Sequence, residues 1–146
     1  MNILLGTRNR GKIQELLAIL NDIEQIEWLT EDDVSFSDVI EDGATFESNA
    51  LKKARQISTE CNCAVLAEDA GLEVEALNGE PGVRTARYAG DGATHQDNIS
   101  KLLANLANER NRQARFLCFA ALVVPNVGEW ITEGELKGII EQTTRG

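Results

Sequence analysis

Four stretches of this sequence group polar and charged side chains at spacings that suit chemistry on a polyanion. In the first, Thr7-Arg8-Asn9-Arg10-Gly11-Lys12, a hydroxyl, an amide, a glycine and a lysine lie between an apolar run and a helical one. Such a strand-to-helix turn aims side-chain donors, backbone N–H groups and a cation at one spot beside a helix N-terminus, where an anion is favoured. It lacks the glycine and lysine spacing of a P-loop, and a plain helix cap would use the same residues. In the second, Glu41 to Ala54, Asn49 and Lys53 are four apart and share one helical face. A carboxylate ahead of that helix and a lysine on it suit a metal and a phosphate, although a solvated polar face has the same pattern.

The third stretch, Glu68-Asp69-Ala70-Gly71, directly follows the apolar run Ala64 to Ala67. Adjacent carboxylates at the end of a buried strand repel each other unless a cation is near. Magnesium takes oxygen ligands and keeps waters and substrate phosphates in its shell, so one or two carboxylates suffice to hold it. Strand ends are also where sites collect in α/β folds. The fourth stretch, Pro81 to Gly90, carries Arg84, Arg87 and Tyr88. It reads equally as a turn or as an anion-binding edge.

Positioning these groups requires alternating elements. Asn2 to Leu5 is a short apolar run stopped by Gly6, and from Lys12 the residues Ile13, Leu16, Leu17 and Leu20 recur at helical spacing. Trp28 and Leu29 suit a second strand, and Asp32 to Gly43 an acidic loop. A helix from about Thr45 to Cys61 puts Phe46, Ala50, Ala54 and Ile57 on one stripe. Ala64 to Ala67 reads as a buried strand, and Leu72, Val74 and Ala76 alternate with Glu73 and Glu75 as a separate, half-exposed one. Thr94 with Asp97 resembles a capping box opening a third helix. Phe116 to Val124 suits a central strand, and Pro125 to Gly128 turns it into a strand around Trp130. Leu136 to Ile140 is then a separate last element.

The whole chain excludes several classes. It has 146 residues, 42% hydrophobic and 26% charged, which suits a single globular domain and no disordered or fibrous one. The longest apolar run is far short of a membrane span, and no apolar stretch follows basic residues at the N-terminus. Three cysteines, two of them at Cys61 and Cys63, fit reduced thiols in the cytoplasm. The single histidine, His95, suits a surface position. A net charge of −10 disfavours binding to a nucleic-acid backbone but leaves room for a small polyanion held locally by lysines, backbone amides and a cation.

Together the four stretches resemble the inosine-triphosphate pyrophosphatase family, whose enzymes remove non-standard purine nucleotides. The resemblance runs in order from Thr7 to about Arg115. It rests on Thr7, Asn9, Gly11 and Lys12; on Glu41, Gly43, Thr45, Phe46, Asn49, Ala50, Lys53 and Ala54; on Ala67-Glu68-Asp69 with Gly71-Leu72, continuing to Pro81-Gly82-Val83 and Thr85-Ala86-Arg87-Tyr88; and on Arg112-Gln113-Ala114-Arg115-Phe116.

The resemblance implies cleavage of ITP, dITP and XTP to the monophosphate and pyrophosphate, with magnesium as cofactor. Thr7, Asn9, Lys12 and Lys53 would hold the triphosphate, and Asn49, Ala70 and Arg87 join them in the expected substrate-binding set. Glu41, Glu68 and Asp69 would handle the metal. Asp69 would orient or deprotonate the attacking water, with Lys12 and Lys53 as the other catalytic groups. The implied fold is α/β, a long mixed sheet flanked by helices in two lobes, as a cytoplasmic homodimer. Ala70 stands where the family usually carries serine or threonine. Family members also continue beyond a segment like Gly138 to Gly146 into purine-side stretches. The expectation is therefore one domain over residues 1–146 with its second lobe incomplete, and the alternative to an enzyme is a nucleotide- or metal-binding remnant without turnover.

Overall fold

The computed structural model describes residues 1–145. Its one five-stranded sheet has the order β2-β1-β3-β4-β5, with β1 at Asn2–Leu5, β2 at Glu27–Leu29, β3 at Ala64–Val74, β4 at Gln113–Val124 and β5 at Gly128–Ile139. β1 runs parallel to both β2 and β3, with Ile3 opposite Trp28 on one side and Ala64 on the other. The turn at Pro125–Val127 is too short for a crossover, so β5 returns antiparallel to β4 and the sheet is mixed. The helices are α1 (Arg10–Leu20), α2 (Phe46–Cys61) and α3 (His95–Asn105). Backbone contacts divide the chain into two compact units.

The first unit comprises Met1–Asp69 and Phe119–Thr132. Its core is Leu4 from β1, Ala50, Ala54 and Ile57 from α2, Val65 and Ala67 from β3, and Ala121 and Val123 from β4. Fully burying a side chain such as Leu4 or Ile57 contributes about 1.5–3 kcal/mol each. The expected stripe on α2 is the buried face, with Phe46 stacked 6.5 Å from Phe119. Helix α2 starts where Thr45 accepts from the Ser48 N–H and Ser48 closes the capping box, and it stops at Asn62 in a left-handed conformation.

The second unit comprises Ala70–Cys118 and the chain from Glu133 onward. Its core gathers Val74, Tyr88, Leu102 and Leu106, with Leu72, Leu77, Ala114 and Ile140 packed against them. Thr94 and Asp97 form the expected capping box of α3. His95, the first residue of α3, is exposed.

Three segments differ from the periodicity reading. Helix α1 begins at Arg10, two residues before Lys12, because Asn9 is its cap. Glu68 to Gly71 does not separate two strands. β3 runs unbroken through it from Ala64 to Val74, and Glu75–Leu77 forms a 3-10 turn. The segment around Trp130 and that around Leu136 are likewise one strand, β5.

Candidate active site

The chemistry-bearing residues of the first unit come from three neighbouring elements. The turn after β1 supplies Thr7 and Asn9. Thr7 Oγ1 accepts from the Asn9 N–H at 3.2 Å, and Asn9 Oδ1 accepts from the Lys12 N–H at 3.1 Å. That bond satisfies one of the otherwise unpaired amides of α1 and fixes where the Lys12 side chain starts. Lys12 Nζ then lies 2.5 Å from Glu68 Oε1 on β3.

Helix α2 presents Lys53 and Asn49 on the face toward β3. Lys53 Nζ is ion-paired with Glu41 and donates to the Glu68 carbonyl at 3.0 Å. The two pairs are shielded from opposite ends: the Lys53 side chain is 14% exposed against 36% for Glu41, whereas Lys12 is 38% exposed against 9% for Glu68. Asn49 is 1% exposed. Its Oδ1 accepts from the Gly43 N–H at 2.7 Å, and its Nδ2 donates to Asp69 Oδ2 at 3.1 Å.

Two lysines thus share a small space with Glu41, Glu68 and Asp69. Burial pushes the Asp69 carboxyl above its ordinary value, and the nearby charges of Glu41 and Glu68 push the same way against the Asn49 hydrogen bond and Lys53. For Lys12, burial pulls the ammonium down, but the hydrogen bond and charge of Glu68, with Asp69 and Glu41 beyond, outweigh it and leave the pKa raised. A half-buried carboxylate above the usual range near a lysine kept charged is the arrangement expected of a proton acceptor near an anionic substrate. Among the described residues, no three His, Cys, Asp or Glu side chains are placed to hold a metal ion by themselves.

The fold brings Thr7, Asn9, Lys12, Glu41, Asn49, Lys53, Glu68 and Asp69 into the first unit. Ala70 and Arg87 belong to the second, Ala70 half-buried in β3 and Arg87 exposed at the end of the 3-10 helix Gly82–Arg87.

One participant has no local sequence signal. The Arg8 guanidinium lies 5.3 Å from the centre of the Phe36 ring, donates to the Phe36 carbonyl and pairs with Asp38 at 2.9 Å. With Thr7, Glu41 and Lys53 it lines a polar cleft. Its partners come from the acidic loop, 28 residues along the chain for Phe36, which periodicity does not reach.

The similarity of this chain to known proteins is specific. The sequence pattern of the Ham1 family matches residues 3–146. A dITP/XTP pyrophosphatase of Staphylococcus epidermidis is 43% identical over 147 residues, covering 99% of this chain and 73% of that protein. One from Bdellovibrio bacteriovorus is 40% identical over 150 residues, covering 100% and 75%. Among solved structures, a HAM1 protein from Coxiella burnetii superposes with a TM-score of 0.90 at 36% identity, covering 100% of this chain and 76% of that one.

Proposed function

Because the chain belongs to the Ham1 family, we propose that it hydrolyses the non-canonical purine nucleoside triphosphates ITP, dITP and XTP to the monophosphate and pyrophosphate. The observation that carries this reading is the meeting of Lys12 and Lys53 with Glu41, Glu68 and Asp69 between α1, α2 and β3. Positioning and charge neutralisation do most of the work in phosphoryl transfer, and two lysines beside carboxylates supply both.

Thr7, the first amides of α1, Lys12 and Lys53 bind the phosphates. Asn9 contributes by capping α1, which aims those amides. When the triphosphate enters, the two lysines exchange carboxylate partners for phosphate oxygens. Asp69 takes a proton from the attacking water as its oxygen bonds to phosphorus and the bridging bond to the pyrophosphate leaving group breaks. Ala70 and Arg87 lie in the second unit, and no step of the proposed reaction uses them.

The cofactor in this proposal is magnesium. Glu41, Glu68 and Asp69 offer the oxygen donors that fit it, and a protein-only cage is not needed for an ion that keeps waters and takes phosphate oxygens. When bound, magnesium neutralises charge on the phosphates. Glu41 and Glu68, once their lysines turn to the substrate, would hold the ion together with Asp69.

The protein is proposed to act as one pyrophosphatase domain, in the cytoplasm, and not on nucleic acid. No helix among the described residues is long and apolar enough to cross a membrane. Exposed Trp130, Leu136 and Ile139 on the edge strand β5 support a homodimer, which sedimentation tests by concentration dependence. The reaction itself is tested by phosphorus NMR of the products from XTP. Monophosphate and pyrophosphate in equal amounts are expected, and diphosphate with orthophosphate contradicts the proposal.

A further inference from the structure

Asn49 is almost fully buried, and both ends of its amide are engaged. The Gly43 N–H can only donate, so the atom it meets must be Oδ1, and the amide is locked with Nδ2 facing Asp69. Helix α2 holds the Asn49 backbone, where the Asn49 N–H closes the first helical turn onto the Thr45 carbonyl. Gly43 completes the clamp for a steric reason. A Cβ built there would collide with Ser48 Oγ and come within 2.6 Å of Asn49 Oδ1, so only glycine lets the loop approach closely enough to donate.

From this chain of contacts, Gly43 to Asn49 to Asp69, we infer that Asn49 is a positioning residue for the base. Its amide holds Asp69 Oδ2 so that the other carboxylate oxygen is presented to the reacting water, and it does not itself bind the nucleotide. This rests on the reading of Asp69 as the base.

Two variants separate the roles. Asn49→Asp keeps an acceptor for Gly43 but replaces the donor to Asp69 with a second carboxylate. Gly43→Ala keeps Asn49 but displaces its amide. Turnover of XTP and binding of a non-hydrolysable α,β-methylene analogue are measured for each, with thermal melts to show that each is folded. Both variants are expected to lose kcat, by about 100-fold for Asn49→Asp, with KM and analogue affinity unchanged.

Wild-type kcat in Asn49→Asp overturns the inference, because Asn49 would then only tie down the loop. A rise in KM and loss of analogue binding at unchanged kcat also overturns it, because Asn49 would then touch substrate. If the wild-type protein turns over no XTP, the functional proposal fails, and the inference is read instead from the Asn49 side-chain amide resonances. These should move in Asp69→Asn, and unmoved signals overturn the inference.

Discussion

Lys12 Nζ lies 2.5 Å from Glu68 Oε1, so a cation at the start of α1 neutralises a carboxylate in the interior of β3. Glu68 is only 8% exposed and would be costly there without that cation. The charges to which the proposed function assigns phosphate binding therefore also stabilise the fold, so that proposal ties activity and stability to the same residues.

The two lysines should differ in that coupling. Lys12→Ala leaves the Glu68 carboxylate, only 8% exposed, without its cation and is expected to cost about 1–3 kcal/mol of stability, the Lys12 side chain itself being 38% exposed and partly screened by water. Lys53→Ala leaves Glu41 unpaired but open to water, its side chain being 36% exposed, and loses the bond to the Glu68 carbonyl, and should cost less, about 1 kcal/mol. Both should lower kcat/KM for XTP by at least about 100-fold, as losses of transition-state charge stabilisation. Urea denaturation checks the order of stability, and equal costs contradict it.

Asp69 should show the opposite trade. Its carboxyl is raised above 3.8, chiefly by burial, so the folded state favours the protonated form. Its contribution to stability is complete below the unfolded value and is lost as pH rises through the higher folded value. At neutral pH the ionised carboxylate is therefore a burden, and Asp69→Asn should melt higher than the wild type. Turnover needs the deprotonated base, so the acid limb of the kcat/KM profile should lie above the ordinary aspartate range. A lower melting temperature for Asp69→Asn contradicts this assignment.

Helix α2 carries Asn49 and Lys53, and its start depends on the Thr45–Ser48 capping box. Thr45→Ala is expected to cost about 1 kcal/mol and to raise KM more than a surface substitution such as Glu47→Ala. An unchanged urea midpoint would count against the cap.

Much of this was legible in the sequence, for identifiable reasons. Helices α2 and α3 carry their caps at Thr45 and Thr94 and a single apolar stripe, both of which are local signals. The continuity of β3 was not legible. Glu68-Asp69-Ala70-Gly71 has the composition of a break, and it remains a strand because Lys12 neutralises Glu68 and Asn49 bonds Asp69. Those partners are 56 and 20 residues away, beyond any local window. The residues of the candidate site were legible as three of the four stretches, the fourth, with Arg87, falling in the second unit; the clamp between Gly43 and Asn49 was not legible, its only sequence trace being the glycine itself.

Gly6, directly after β1, sits where a side chain has little room. A Cβ there would lie 3.0 Å from Val65 Cγ1 and 3.2 Å from Ile57 Cδ1, both in the packed core. Gly6→Ala should destabilise by about 1–3 kcal/mol and displace the Thr7 turn that follows. Unfolding at the wild-type urea midpoint would show that the core gives way freely.

The most direct measurement is magnesium-dependent pyrophosphate release from XTP and dITP, set beside GTP and dATP, for the wild type and Asp69→Asn. Release from XTP and dITP well above that from GTP and dATP, abolished in Asp69→Asn, is the predicted result. Equal rates on all four nucleotides, or full activity in Asp69→Asn, would contradict the assigned reaction or its base.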